Sequence, residues 1–153
     1  MSGPGLFTGE ETTVVFVPSQ ADSGITFIRE YDGKVATIPA VVGNMLERPR
    51  HTCLRNGTLR VETIEHCMAA LAGMGINNAA VRVIGGPTGE LPGGDGSSGP
   101  FVKALVEAGT VEQTVDQKPL IIKRPIQLTR DDASIAALPG PTDRLEVIYN
   151  FEG

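Results

Sequence analysis

β-Branched and apolar residues gather along the chain in short runs separated by turn-forming residues, the pattern of a sheet built from short strands. Thr12 to Pro18 and Ile25 to Arg29 are two such runs, and the turn-rich Ser19 to Gly24 between them predicts that they pair as a hairpin. Further strands are expected over Arg50 to Leu54, Thr58 to Glu62 and Ala79 to Ile84, with Asn56-Gly57 as the tight turn between the first two of these. From Ile64 the period changes. Ile64, Met68, Leu71 and Ala72 recur at helical spacing, with Thr63 placed as N-cap and Gly73 as C-cap. A second helix is predicted after Ser97-Ser98-Gly99, with Pro100 in its first turn, a buried stripe of Phe101, Val102, Leu105 and Val106, and a stop at Gly109. Two helices over one short-stranded sheet make a two-layer α+β sandwich.

Past Gln117 only strands are expected, over Leu120 to Leu128, Ala133 to Leu138 and Leu145 to Phe151. Val14, Val17, Pro18 and Asp22 map at one constant offset onto Ile135, Leu138, Pro139 and Asp143. This reads as an incomplete second repeat of the same unit, lacking the helices that would cover its apolar face. Proline and aspartate recur in turns of every kind, so chance competes with the repeat.

Composition narrows the function classes. The 153 residues suffice for a core without staples, and 41% hydrophobic with 20% charged residues is the balance of a folded chain. A formal net charge of −5, with no stripe of Lys and Arg, argues against a nucleic-acid partner. The first residues form no leader-like segment and no apolar run is long enough to span a bilayer, so no transmembrane segment and a cytoplasmic location are expected. There Cys53 and Cys67 stay reduced and read as small buried apolar residues.

Two segments carry residues suited to chemistry. Glu65 and His66 fall in a first helical turn, where unpaired backbone N–H groups favour a carboxylate; the neighbouring imidazole is a metal-ligand type while the carboxylate handles a proton. On the dipeptide alone, a carboxylate complementing the helix dipole beside an ordinary histidine is the weightier reading. Asp95 lies in the polar loop Glu90 to Phe101, where it either orients a catalytic group or closes a glycine-rich turn. His51, Cys53, His66 and Cys67 are all zinc-ligand types, with His51 and Cys53 on one side of a strand. His66 and Cys67, however, are about 100° apart around a helix, which argues against a closed four-ligand site. Neither glycine-rich stretch fits a nucleotide-binding fingerprint.

Taken in order, Gly5-Leu6-Phe7-Thr8-Gly9, Pro18 with Asp22 to Phe27, Ile38-Pro39-Ala40, Thr63-Ile64-Glu65-His66 with Ala69 to Gly73, Gly75 to Asn78, and Asp95-Gly96-Ser97 with Pro100-Phe101 resemble the UDP-3-O-acyl-N-acetylglucosamine deacetylases, zinc enzymes of lipid A biosynthesis. The resemblance implies a first domain over residues 3–117 and the opening strands of a second over 118–153. It implies that Glu65 is the general base, His66 the one Zn2+ ligand of the first domain, and Asp95 a supporting residue. An acylated UDP-sugar is the implied substrate. Departures accompany the matches: Phe7 stands where the family usually has histidine, Gly93 and Gly94 replace more apolar residues, and the strand before the opening turn is not expected here. The family's other two zinc ligands, a histidine and an aspartate, belong to a second-domain motif expected beyond Gly153, so tight zinc binding is not expected from this chain alone. Three expectations follow: an enzyme half, inactive alone, that is either a gene fragment or a subunit completed by a second chain; a non-catalytic binding or regulatory protein on the deacetylase fold; or a solitary α+β domain whose motif residues are structural.

Overall fold

Ala79–Gly85 places small or branched apolar residues at Ala79, Val81 and Val83, all buried, and it takes the centre of the main sheet. The computed structural model describes residues 1–116, 119–140 and 145–151. In chain order the elements are β1 (Ser2–Pro4), β2 (Glu11–Pro18), β3 (Ile25–Tyr31), β4 (Lys34–Pro39), a 3-10 turn (Val42–Asn44), β5 (Met45–Leu46), β6 (Cys53–Asn56), β7 (Leu59–Glu62), α1 (Glu65–Gly73), β8 (Ala79–Gly85), α2 (Gly99–Ala108), β9 (Ile126–Arg130) and β10 (Ala133–Ala137). The main sheet runs β1-β2-β8-β3-β4, a smaller one β5-β6-β7, and β9 pairs with β10. The fold is α+β. No helix among the described residues is long and apolar enough to cross a membrane.

The hairpin expected of β2 and β3 is not formed. β8 lies between them, antiparallel to β2 and parallel to β3. Its alternating buried residues gain a neighbour on each side in that position, whereas a direct β2–β3 pairing would leave them at an edge. The partner of β3 is instead β4, joined through Asp32-Gly33, both at positive φ (51° and 70°), the geometry that matches strand twist.

Inward-facing Val14, Phe27, Ile38, Val81 and Val83 form one core with Leu54 and Val61 of the small sheet, Cys67, Ala70 and Leu71 of α1, and Phe101 and Leu105 of α2. Two expected stripe residues lie outside it: Ala72 is exposed, and Val106 is 63% exposed because it projects past the face that α2 turns inward. The strand expected from Arg50 begins only at Cys53, and the β6–β7 turn is Gly57-Thr58, since Asn56 pairs with Leu59.

Neither expected cap of α1 holds. Thr63 adopts φ 56° and turns its hydroxyl to Glu90, leaving Ile64 as an N-cap without a side-chain bond. At the other end Gly73 is still helical. The left-handed position is Gly75 (φ 67°), where Gly75 N–H donates to the Ala72 carbonyl (3.1 Å) and Ile76 N–H to that of Leu71 (2.9 Å). A Cβ at Gly75 meets nothing within 4 Å, so only backbone conformation opposes a side chain there. Gly75→Ala is expected to cost about 1–2 kcal/mol in urea unfolding followed by circular dichroism.

The chain divides into two compact units, Met1–Asp116 and Gln117–Gly153. In the second unit Ile135 pairs with Leu128 and Ala137 with Ile126, so these residues share one face of the β9–β10 ribbon, and all are exposed. The strand expected from Leu120 begins at Ile126, and residues 145–151 form no strand. An isolated two-stranded ribbon offers them no edge with a buried face on which to settle. Asp143 of the expected repeat lies outside the described residues.

Candidate active site

The start of α1 is fixed by a residue from the small sheet's approach. Thr52 N–H donates to Glu65 Oε2 (3.0 Å) and the Thr52 carbonyl accepts from Ile64 N–H (3.4 Å). Glu65 is half-buried, and so is His66 beside it. The next position, about 100° further round the helix, carries Cys67 into the core, where burial pushes its thiol up to about 12. Burial also raises the Cys53 thiol, first among its causes, with the Glu62 charge adding to it. Neither sulfur has a thiolate's character, and both behave as small apolar core residues.

Asp95 is exposed on the loop before α2. Its Oδ1 accepts from the Ser97 hydroxyl (2.7 Å) and the Ser97 N–H (3.0 Å), and Ser97 Oγ in turn accepts from Gly99 N–H (3.0 Å). These Ser97 bonds hold the Asp95 carboxyl below its usual range. Asp95 serves as a turn-closing residue whatever else it does.

The opening turn forms the third part. Contrary to expectation, a strand, β1, precedes it. Phe7 is half-exposed and stacks against His51, ring centroids 5.3 Å apart at 38°. His51 lies outside β6, so it does not share a strand face with Cys53; its Nε2 stands 3.7 Å from Glu62 Oε2, while Glu62 Oε1 takes the Arg60 guanidinium at 2.5 Å. Beside it an apolar cleft of about 420 Å³ is lined by Val42, Met45, Leu46, His51, Thr52 and Cys53, among others, so Thr52 joins its wall to the tether of Glu65.

Sequence reasoning assigned no role to Glu90. It is 1% exposed, yet its carboxylate accepts four hydrogen bonds: Phe7 N–H (2.9 Å) and Thr63 Oγ1 (3.1 Å) on Oε1, Thr8 N–H (2.8 Å) and Thr8 Oγ1 (2.6 Å) on Oε2. Burial presses its pKa upward, but these bonds outweigh it and hold the carboxyl below its ordinary value of 4.5. Because the folded value is depressed, this stabilisation is present above the unfolded pKa and is lost as pH falls through the folded one.

Among the described residues, no three His, Cys, Asp or Glu side chains gather to hold a metal ion. The described residues therefore assemble no complete zinc site by themselves. The family model described as UDP-3-O-acyl N-acetylglycosamine deacetylase matches residues 1–153, the whole chain. The chain belongs to this deacetylase family. It is 39% identical over 151 residues to the UDP-3-O-acyl-N-acetylglucosamine deacetylase of Saccharophagus degradans, covering 99% of this chain and 49% of the relative. Identity to the enzyme of that name from Anaeromyxobacter sp. is 43% over 153 residues, covering 99% of this chain and 47% of the relative. For that of Cellvibrio japonicus it is 38% over 151 residues, covering 99% and 48%. The chain thus spans about half the length of these deacetylase relatives.

Proposed function

We propose that this chain is the N-terminal half of a zinc-dependent deacetylase that hydrolyses the acetamide of UDP-3-O-acyl-N-acetylglucosamine in lipid A biosynthesis, in the cytoplasm, with the remaining site residues supplied by further sequence or a second chain. One observation carries the reading: a half-buried carboxylate and imidazole stand side by side at the start of α1, in a chain matching half of enzymes so named. Glu65 is the general base. Its Oε2 is engaged by the Thr52 N–H, which leaves Oε1 as the oxygen to accept a proton from the attacking water and pass it to the departing amine. Zinc, when bound, would polarise the acetamide carbonyl and make water acidic enough to attack near neutral pH. His66 would be this half's ligand to it, and Asp95 a support for the imidazole. The domain division at residues 3–117 and 118–153 belongs to the same proposal.

Phe7 in place of the family histidine, packed on His51, favours a second reading, a non-catalytic binding or regulatory protein on this fold. Coexpression with the C-terminal half of the Saccharophagus degradans relative separates the two. The copurified pair is expected to retain about one zinc per complex and to release acetate from the acylated UDP-sugar, while this chain alone does neither. A stable pair that binds zinc but releases no acetate would support the second reading.

A further inference from the structure

Thr63 is a β-branched residue held at φ 56°, a conformation such residues rarely take and one that costs about 1–3 kcal/mol unless its surroundings enforce it. It immediately precedes Ile64 and α1, so its backbone sets the direction in which Glu65 and His66 leave β7. What meets its hydroxyl is the buried Glu90 carboxylate, which on the same two oxygens also holds Phe7 and Thr8 of the opening turn. Glu90 is itself stitched in place: Glu62 N–H donates to the Gly89 carbonyl (3.0 Å) and Leu91 N–H to the Glu62 carbonyl (3.0 Å). A Cβ at Gly5 would stand 2.7 Å from Glu90 Cδ, so any other residue there would displace the carboxylate or the turn. Three segments remote in sequence therefore meet on one anion.

We propose that Glu90 is a positioning residue, whose carboxylate fixes the lead-in to α1 against the opening turn and so sets where Glu65 and His66 stand. Only an acceptor on both oxygens satisfies this arrangement, because each oxygen faces a backbone N–H: an amide would aim its own NH2 at Phe7 or at Thr8 whichever way it turned. Thr63 is the link to α1, Phe7 and Thr8 the link to the turn. The functional consequence rests on reading Glu65 and His66 as the reactive pair; the tether itself does not, and it is measured without turnover.

The chain's two histidines report on the two links, His66 from α1 itself and His51 on the opening turn through its stack on Phe7, with Glu62 and Thr52 also beside it. Proton NMR of the imidazole resonances, with amide exchange at Thr52 and Met68, is compared in the whole chain for three variants. Thr63→Val, which replaces only the hydroxyl by a methyl, is expected to move the His66 resonances and speed exchange at both amides about tenfold. Thr63→Ser, which restores the hydroxyl, is expected to match the parent chain. Glu90→Gln is expected to move both histidines. The proposal is overturned if Thr63→Val leaves His66 and the two amides unchanged, or if Glu90→Gln moves His51 alone, since Glu90 would then brace only the opening turn. Should Glu90→Gln fail to fold, the Val and Ser pair still decides the matter. Loss of acetate release in the completed enzyme with these NMR results intact would count against the deacetylase reading and not against the tether.

Discussion

Glu65→Gln is expected to lower acetate release by about a hundred- to ten-thousandfold in the pair completed by the relative's C-terminal half, the range a positioned general base supplies. Gln is nearly isosteric, and its side-chain oxygen can still accept from the Thr52 N–H, so the tether at the start of α1 survives while the proton acceptor is lost. Zinc content is expected to be unchanged, because His66 and not Glu65 is the assigned ligand. Glu65→Ala makes the contrast: it removes the tether as well and should also destabilise the chain, by roughly 1–2 kcal/mol. Turnover with Gln within threefold of the parent pair would sink the assignment of Glu65 as base.

The largest stability effect should come from a residue outside the site. Arg29 points into the core from β3 and is 1% exposed, with Nη1 donating to the carbonyls of Glu30 (2.9 Å) and Val83 (3.2 Å) and Nη2 to that of Gly86. Its guanidinium also lies 5.0 Å from the Tyr31 ring centroid. Burial lowers its pKa, with Tyr31 and Glu10 opposing the shift, yet an arginine remains charged there. Arg29→Met keeps most of the volume and removes every donor, leaving three carbonyls without this partner at about 1–3 kcal/mol apiece before relaxation. A net loss of roughly 3–5 kcal/mol is expected, seen as a lower urea midpoint at unchanged slope. The chain has no tryptophan, so far-UV circular dichroism is the signal to follow. A loss below about 1 kcal/mol would mean that water reaches those carbonyls in the variant.

Elements whose residues alternate or recur cleanly were legible: β2, β3, β7, β8 and α2 fall close to their expected spans. Pairing was not, because strand order follows from which strand gains most by being flanked on both sides, a comparison among remote segments that local pattern does not contain. β4 does carry a signal in Asp32-Gly33, the same kind of turn dipeptide as Asn56-Gly57. Thr63 looked like a cap because threonine so often caps, and only the buried Glu90, remote in sequence, diverts its hydroxyl. Glu65, His66 and Asp95 stood out as candidates by their motifs, but Glu90 did not: a lone glutamate before Leu-Pro looks like any loop residue until the fold brings two other segments onto it. Asn78 shows the converse. It sits in a family-like motif, yet its amide bonds Gly24 N–H (2.9 Å) and Gln113 (2.8 Å), which is architecture rather than chemistry.

The placing of β8 between two earlier strands bears on how the molecule is made. As the nascent chain leaves the ribosome, β2 and β3 are complete long before the segment that separates them, and neither can find its native neighbour on that side until Gly85 has emerged. The β3–β4 hairpin can close early, whereas the gap beside it stays open through the synthesis of α1. Slowing translation between Pro39 and Ala79 would prolong that vulnerable interval, and a chaperone that shields sheet edges would act then.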